Sequence, residues 1–382
     1  METTKLYDND SFLTEFTATV LSCEEAKGGW AVTLNETAFY PEGGGQAADH
    51  GALGAANVTD TQEKDGIIIH TCDAPLTVGD CVTGKIDWAR RFDHMQQHSG
   101  EHIVSGMICE AFHCDNTGFH MGADSVIIDY NTEITWEQIL EIERRANAYI
   151  YENHPFRAWY PDAEELKALP YRSKKELSGA VRITAFPGAD MCACCGTHVL
   201  HSGQVGIAKF LSCQKFKDGV RLEVKFGKRA YDYLSKIWEQ NLAVGRMLSA
   251  KAEDTAQAVE RMKAESEEKS RRIAEMEESI FASIAEENRG KGNVLLFKGD
   301  MDPNSVRRLC VAVGEVCGGR AAVFAGSGES YKYAMMEEGG DLRALTKDMN
   351  TALNGRGGGK PFFVQGSVAA AEDAIRSFFA DK

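Results

Sequence analysis

The stretch RRFDHMQQHSGEHIVSG, Arg90 to Gly106, sets His94, His98 and His102 four residues apart, and this spacing constrains the chain more than any other feature. Residues four apart share one face of an α-helix, so His98 and His102 can pinch a single metal ion between them. Two histidines do not make a zinc site, which takes three protein ligands and an open position, or four ligands when it is purely structural. The missing donors stand far downstream. Residues 190 to 203 read DMCACCGTHVLHSG, where Cys194 and His198 repeat the four-residue reach with one thiolate and one imidazole. The set His98, His102, Cys194 and His198 mixes nitrogen and sulfur donors, which suits Zn2+ and not magnesium or calcium. A lone H-x-x-x-H is commonly coincidence and a lone cysteine cluster is commonly packing. Both together, in a chain with ten histidines, argue for one joint site, and a fold able to build it must carry both segments to one point.

The core HSGEH also fits H-x-x-E-H, the pattern of inverted zinc peptidases, with Glu101 as general base. That reading leaves Cys194 and His198 without a use. In the joint-site reading Glu101 instead orients a histidine or a water from outside the ligand set. His94, one turn before His98, is expected either to support a ligand or to face solvent. Cys192 and Cys195 flank the metal cysteine, but the C-x-x-x-H spacing singles out Cys194.

Composition narrows the rest. The 382 residues are 43% apolar and 26% charged, an ordinary globular balance long enough for several domains. No basic head joins an apolar N-terminal run and no apolar stretch reaches membrane-spanning length, so a cytoplasmic protein with no membrane partner is expected. Eleven cysteines, an odd number, point to reduced thiols and not to a disulfide framework. The formal charge of −15 gives no general attraction to nucleic acid, so such binding needs local patches. Arg172, Lys174 and Lys175 form one candidate, and Lys215, Lys217, Arg221, Lys225, Lys228 and Arg229, interleaved with Phe216 and Phe226, form another.

The fold class expected is α+β. Residues 1–87 alternate short apolar runs with Gly, Asp and Asn turns, which predicts a β-rich, barrel-like domain. Residues 88–227 mix helical and strand-like text around the metal residues. Residues 228–290, proline-free and highly charged, carry Val259, Ser266, Ile273 and Ile280 seven apart, with Met262, Lys269 and Met276 in the other seam; Ser266 and Lys269 interrupt the heptad, so a helical hairpin or short coiled coil is expected. Residues 291–382 read as a compact α/β domain holding the glycine-rich loop LNGRGGGKPFFVQG.

Three stretches, FYPEGGGQ (39–46), HSGEH and CCGTHV, resemble the signatures of the editing domain of alanyl-tRNA synthetases and of the free-standing AlaX alanyl-tRNA editing proteins. GRGGGKPFFVQG resembles the end of the DHHA1 domain that closes the synthetase and the long AlaX type. The order and spacing cover essentially the whole chain, and nothing upstream resembles the aminoacylation domain. The resemblance implies a Zn2+-dependent hydrolase acting in trans on mischarged alanine-acceptor tRNA, seryl-tRNA first and then glycyl-tRNA. It implies His98, His102, Cys194 and His198 as metal ligands, with the intervening Glu101 incidental; three strong ligands and one looser residue are expected on chemical grounds, since four equal ligands leave no open position. The family usually has glycine just after its metal cysteine, where this chain has Cys195. Tyr40, Gly43, Gly44 and Gly45 would let the backbone approach the ribose or amino acid, with Gln46 offering hydrogen bonds. Gln46 and Ser99 are the candidates for reading the serine hydroxyl, since a site built to bond a hydroxyl rejects the analogue lacking it; a Ser99 hydroxyl bonded back to its own helix is the alternative. Lys215, Lys217, Arg221, Arg356 and Lys360 are the candidates for tRNA contact, and the C-terminal region for a homodimer. Two other readings stand beside this one: the H-x-x-E-H peptidase, and a non-catalytic tRNA-binding or dimerisation protein.

Overall fold

The computed structural model describes residues 2–173 and 180–380, so Lys174 and Lys175 lie outside the described residues. Helix and strand are mixed along the chain, which divides into two compact units, Met1–Leu242 and Ala243–Lys382.

Six strands near the start of the first unit belong together: β1 (Glu15–Ala26), β2 (Gly29–Leu34), β3 (Gly51–Leu53), β4 (Ala56–Lys64), β5 (Ile67–Cys72) and β6 (Cys81–Ile86). They close into a barrel in the order β1-β2-β5-β4-β3-β6. Alternation drives the closure: Phe16, Ala18, Val20, Val32, Leu34, Leu53 and Val58 point inward and form its core. Helix α1 (Trp88–Phe112) follows at once, started by Asp87, whose side chain accepts from the Arg90 N–H. Arg91 fixes the helix to the barrel. Its guanidinium is fully buried, ion-paired with Asp49, and donates to the carbonyls of Ser11 and Ala38. Removing one partner of such a pair leaves a buried charge and costs about 3–5 kcal/mol.

Helix α1 ends at His113 in the left-handed region, and the chain turns into β7 (Asn116–Met121) and β8 (Val126–Tyr130). Helix α2 (Trp136–Glu152) precedes a three-stranded sheet of β9 (Arg157–Trp159), β10 (Ile183–Phe186) and β11 (Asp190–Ala193). The hairpin β12 (Ala208–Phe216) and β13 (Gly219–Phe226) completes a four-stranded sheet in the order β12-β13-β8-β7. Two glycines let α1 sink among these elements. A Cβ on Gly100 would lie 2.2 Å from the Phe226 ring, and one on Gly106 would lie 2.1 Å from the Ala189 carbonyl oxygen. Helix α3 (Gly227–Met247) follows.

The second unit holds helix α4 (Thr255–Glu287) and a sheet of β14 (Gly292–Lys298), β15 (Gly318–Ser327), β16 (Ser330–Glu337), β17 (Arg356–Lys360) and β18 (Phe363–Val368), ordered β14-β15-β16-β18-β17. Helix α5 (Pro303–Cys317) connects the parallel pair β14 and β15. Helices α6 (Arg343–Ala352) and α7 (Glu372–Ala380) complete it. One expectation changes here. The glycine-rich stretch is no loop: Arg356–Lys360 is an edge strand paired with β18, and a Cβ on Gly357 would lie 2.3 Å from the Tyr333 hydroxyl. The coiled-coil seam is uncovered, with Val259, Met262, Ile273, Met276 and Ile280 all exposed on α4.

Candidate metal centre

The fold brings both clamps to one point. One ligand atom from each of His98, His102, Cys194 and His198 lies within 4.8 Å of every other. Cys194 Sγ is 3.5 Å from His98 Nε2 and 3.8 Å from His198 Nε2. A zinc ion held about 2.0–2.3 Å from its ligands places tetrahedral neighbours about 3.3–3.8 Å apart, so the donors present fit that ion.

The two helix histidines are held from behind. His98 Nδ1 lies 2.9 Å from Gln46 Oε1, and His102 Nδ1 lies 2.7 Å from Asp190 Oδ2. Both contacts make Nδ1 the protonated nitrogen and leave the Nε2 lone pair for a metal, the usual arrangement behind metal-bound histidines. Asp190 is itself held by Arg172, which donates from Nε and Nη2 at 2.7 and 2.9 Å. The rings are stacked as well: Phe119 on His98 at 5.4 Å between centroids, and Phe156 on His198 at 4.7 Å. His198 Nδ1 is buried without a hydrogen-bond partner among the described residues.

Electrostatics prepares the thiolate. Burial works against charge on Cys194, but His98, His198 and His102 outweigh it and hold the thiol well below its ordinary value. Burial likewise opposes a charged His102, and its bond to Asp190 raises it well above the ordinary imidazole range. Burial pushes Cys192 up to about 11, so its proton stays on; Cys195 is exposed and outside the ligand cluster. The loop carrying Cys194 and His198 is held by Arg182 Nη1, which donates to the carbonyls of Cys194 and Gly196, and by Ser11 Oγ, which donates to the His198 carbonyl. Gly196 has no substitute there: a Cβ would lie 2.2 Å from His98 Cε1.

The other expected residues sort differently. Gln46 and Ser99 are fully buried and already engaged. Gln46 Nε2 donates to Thr197 Oγ1 at 2.8 Å, while its Oε1 accepts from His98 and from the Thr197 N–H. Ser99 Oγ accepts from the Val199 N–H at 3.1 Å, so it braces the ligand loop and does not bond back to its own helix. Glu101 is also buried and outside the ligand cluster; it accepts from Ser105 Oγ and Asn116 Nδ2. His94 does not face solvent. It is 5% exposed, its Nδ1 has no hydrogen-bond partner among the described residues, and burial pushes it down to about 4. Tyr40 is buried, its hydroxyl donating to the Gly43 carbonyl. Gly43 and Gln46 close a tight turn through paired backbone bonds of 3.0 and 2.9 Å, and Gly44 and Gly45 between them have φ of +59° and +88°. Gly44 is open to solvent, whereas a Cβ on Gly45 would meet the Phe119 ring at 2.5 Å.

The basic cluster is largely neutralised. Lys215 pairs with Glu133, Arg221 with Asp129, Lys228 with Asp232 and Arg229 with Asp93. Lys217 occupies the hairpin turn over the Phe216 ring, and Phe226 is a core residue. Arg172 belongs to Asp190. Arg356 and Lys360 lie exposed on the edge strand β17, beside a groove of about 560 Å³ under α6. Asp190, Phe119, Phe156 and Thr197 were not anticipated; Asp190 and Thr197, both within the cysteine stretch, left a trace in the sequence.

Comparison with known proteins gives the family. A family model described as tRNA synthetases class II (A) matches residues 4–90. The alanyl-tRNA editing protein Aarsd1 of Rattus norvegicus is 30% identical, covering 67% of this chain and 67% of its own length, and that of Mus musculus gives the same figures. The chain belongs to the alanyl-tRNA editing protein family. This family member is also 30% identical to the alanine–tRNA ligase of Halorubrum lacusprofundi over 98% of its length, yet spans 44% of that ligase. The C-Ala domain of the Aquifex aeolicus alanyl-tRNA synthetase aligns with 24% of the chain, and with 90% of its own, at 15% identity and a TM-score of 0.21. Among the described residues no helix is long and apolar enough to cross a membrane.

Proposed function

We propose that this editing-family chain is a Zn2+-dependent hydrolase that deacylates mischarged alanine-acceptor tRNA in trans, with seryl-tRNA the preferred substrate and glycyl-tRNA a poorer one. The observation that carries the proposal is the convergence of His98, His102, Cys194 and His198 beside an open glycine turn. A zinc ion held firmly by three of these residues, with the fourth looser, would supply Lewis-acid polarisation of the ester carbonyl or an anchor for the aminoacyl group, and one held by all four would only organise the site. The chain's own residues do the rest. Gln46 and Asp190 keep the two helix histidines in one tautomer, so the centre needs no rearrangement when substrate arrives. Gly44, with no side chain and no neighbour within 4 Å of where a Cβ would stand, lets the ribose come close to the backbone.

The second unit supplies tRNA affinity in this reading. Arg356 and Lys360 flank the groove that Lys347 and the glycines of β17 line, a surface open to a phosphate backbone. The surface ion pairs of Lys215 and Arg221 are each worth about 0–1 kcal/mol, so phosphates can displace their carboxylate partners. The exposed seam of α4 is where a second copy would pair.

The test is the initial deacylation rate of the full chain on seryl-, glycyl- and alanyl-tRNA at one salt concentration, for the parent, His98→Ala and Cys194→Ser. Both variants should lose zinc and activity together. Comparable parent rates on seryl- and alanyl-tRNA, or full zinc in Cys194→Ser, would overturn the assignment.

A further inference from the structure

Tyr160 stands between the edge strand β9 and Pro161, and the proline restricts its backbone to the extended region. The side chain is 53% exposed and belongs to neither apolar core of this unit's barrel and sheets. An exposed tyrosine is ordinary by itself; the contacts of this one are not. Its hydroxyl donates at 3.2 Å to Oδ2 of Asp8, in the short helix Leu6–Asn9. One route from Asp8 leads to the metal loop: its Oδ1 lies 4.0 Å from Arg182 Nε, and Arg182 Nη1 donates to the carbonyls of Cys194 and Gly196 at 3.1 and 3.0 Å. The other leads to the glycine turn: Tyr7, beside Asp8 in sequence, packs edge-on against Tyr40 at 5.3 Å between centroids, and the Tyr40 hydroxyl donates to the Gly43 carbonyl at 3.1 Å. Loop and turn meet where Gln46 bonds Thr197. The ring is therefore pinned by its hydroxyl at the rim of the site, with its outer surface open to solvent.

We propose that Tyr160 is the stacking platform for the terminal adenine of the tRNA, a substrate-binding residue that takes no part in the chemistry. This rests on the deacylase reading above. With the ester at the metal and the ribose over Gly44, the base is the next group outward, and it arrives unpaired because the acceptor end of a tRNA is single-stranded. Unpaired bases are held by stacking on aromatic side chains, and a tyrosine offers a flat apolar face with a polar tip that can be tied down. The bond to Asp8 does the tying. It fixes in advance the rotamer that an exposed side chain would otherwise have to give up on binding. Stacking on the base is the same before and during ester cleavage, so it lowers KM and leaves kcat alone.

The experiment compares the zinc-loaded full chain with Tyr160→Ala and Tyr160→Phe in two readouts; Tyr160→Leu replaces the alanine variant should that one not fold. The first is steady-state deacylation of seryl-tRNA. Tyr160→Ala should raise KM about 5–150-fold, the span that loss of one stacked base gives, with kcat and zinc content unchanged. Tyr160→Phe keeps the ring and loses only the bond to Asp8, so its KM should stay close to the parent's. The second readout does not depend on hydrolysis: uncharged tRNA whose terminal adenine is replaced by 2-aminopurine should lose fluorescence on binding the parent and Tyr160→Phe, and keep it on binding Tyr160→Ala. No quench with the parent, or a Tyr160→Ala chain with parental KM and quench, would overturn the proposal. So would a Tyr160→Phe chain that fails as alanine does, because the hydroxyl and not the ring would then matter. A parent that quenches 2-aminopurine through Tyr160 yet does not cleave seryl-tRNA would instead overturn the deacylase reading and leave the platform standing.

Discussion

Replacing Gln46 by alanine should weaken zinc binding without touching a ligand. The side chain accepts from His98 Nδ1 at 2.9 Å and from the Thr197 N–H at 3.3 Å, and donates to Thr197 Oγ1 at 2.8 Å. With Gln46 fully buried, water does not replace these contacts, so Gln46→Ala strands the His98 N–H and the Thr197 N–H. Each stranded donor costs about 1–3 kcal/mol. The share that falls on metal binding is the loss of His98 orientation, and loss of such a partner typically lowers metal affinity about 10–100-fold, or about 1.4–2.7 kcal/mol. Gln46→Glu keeps an acceptor for His98 and loses only the donor to Thr197, so it should recover most of that affinity. The assay is equilibrium competition for zinc against a chromophoric chelator, on full-length variants whose far-ultraviolet circular dichroism matches the parent. An alanine variant that folds and binds zinc within about twofold of the parent would refute the orienting role. Intact zinc binding with lost discrimination between seryl- and alanyl-tRNA would instead restore Gln46 as a reader of the hydroxyl.

Two further outcomes follow from the same geometry. Ser99→Ala removes the acceptor of the buried Val199 N–H, so it should cost about 1–3 kcal/mol in urea unfolding while leaving the seryl-to-alanyl rate ratio unchanged; unchanged stability with a collapsed ratio would return Ser99 to the hydroxyl. His70, buried in the barrel between Val32 and Thr37, is pushed down to about 4 by burial. Its folded value lies below the ordinary value near about 6.5, so the unfolded chain binds the extra proton first, and His70 stabilises the fold above about pH 6.5 and loses that contribution as pH falls toward about 4. The urea midpoint of His70→Gln should therefore fall less steeply than the parent's across that window, and equal slopes would refute it.

The convergence of His98, His102, Cys194 and His198 was legible because a four-residue spacing is a property of helix geometry, and two such clamps of complementary donors rarely coincide. The β-rich opening was legible from alternation. What stayed hidden depended on partners distant in sequence. Lys215 and Arg221 read as free cations because Glu133 and Asp129 stand on other elements. The stretch Arg356–Lys360 read as a loop because glycine carries no strand signal, and only pairing with Phe363–Val368 makes it one.

Helix α1 shows why the roles of Gln46, Ser99 and Glu101 were harder to see than the ligands. From His94 to Ile108 every residue of it is buried, yet the first part of that run, HMQQHSGEH, has almost no apolar stripe, and a polar helix ordinarily faces water. Burial holds here because the polar groups are matched by other elements. Gln96 donates to the Gln204 carbonyl, Gln97 exchanges hydrogen bonds with the Phe226 backbone, His98 meets Gln46, Ser99 accepts from Val199, Glu101 accepts from Asn116, and His102 meets Asp190. Such a network gains little net stability over an apolar core and is costly when one member is missing. It does give each ligand a fixed tautomer and direction. A sequence reports which residues could bind a metal; which residues aim them is set by contacts made only once the barrel, the helix and the cysteine loop have come together.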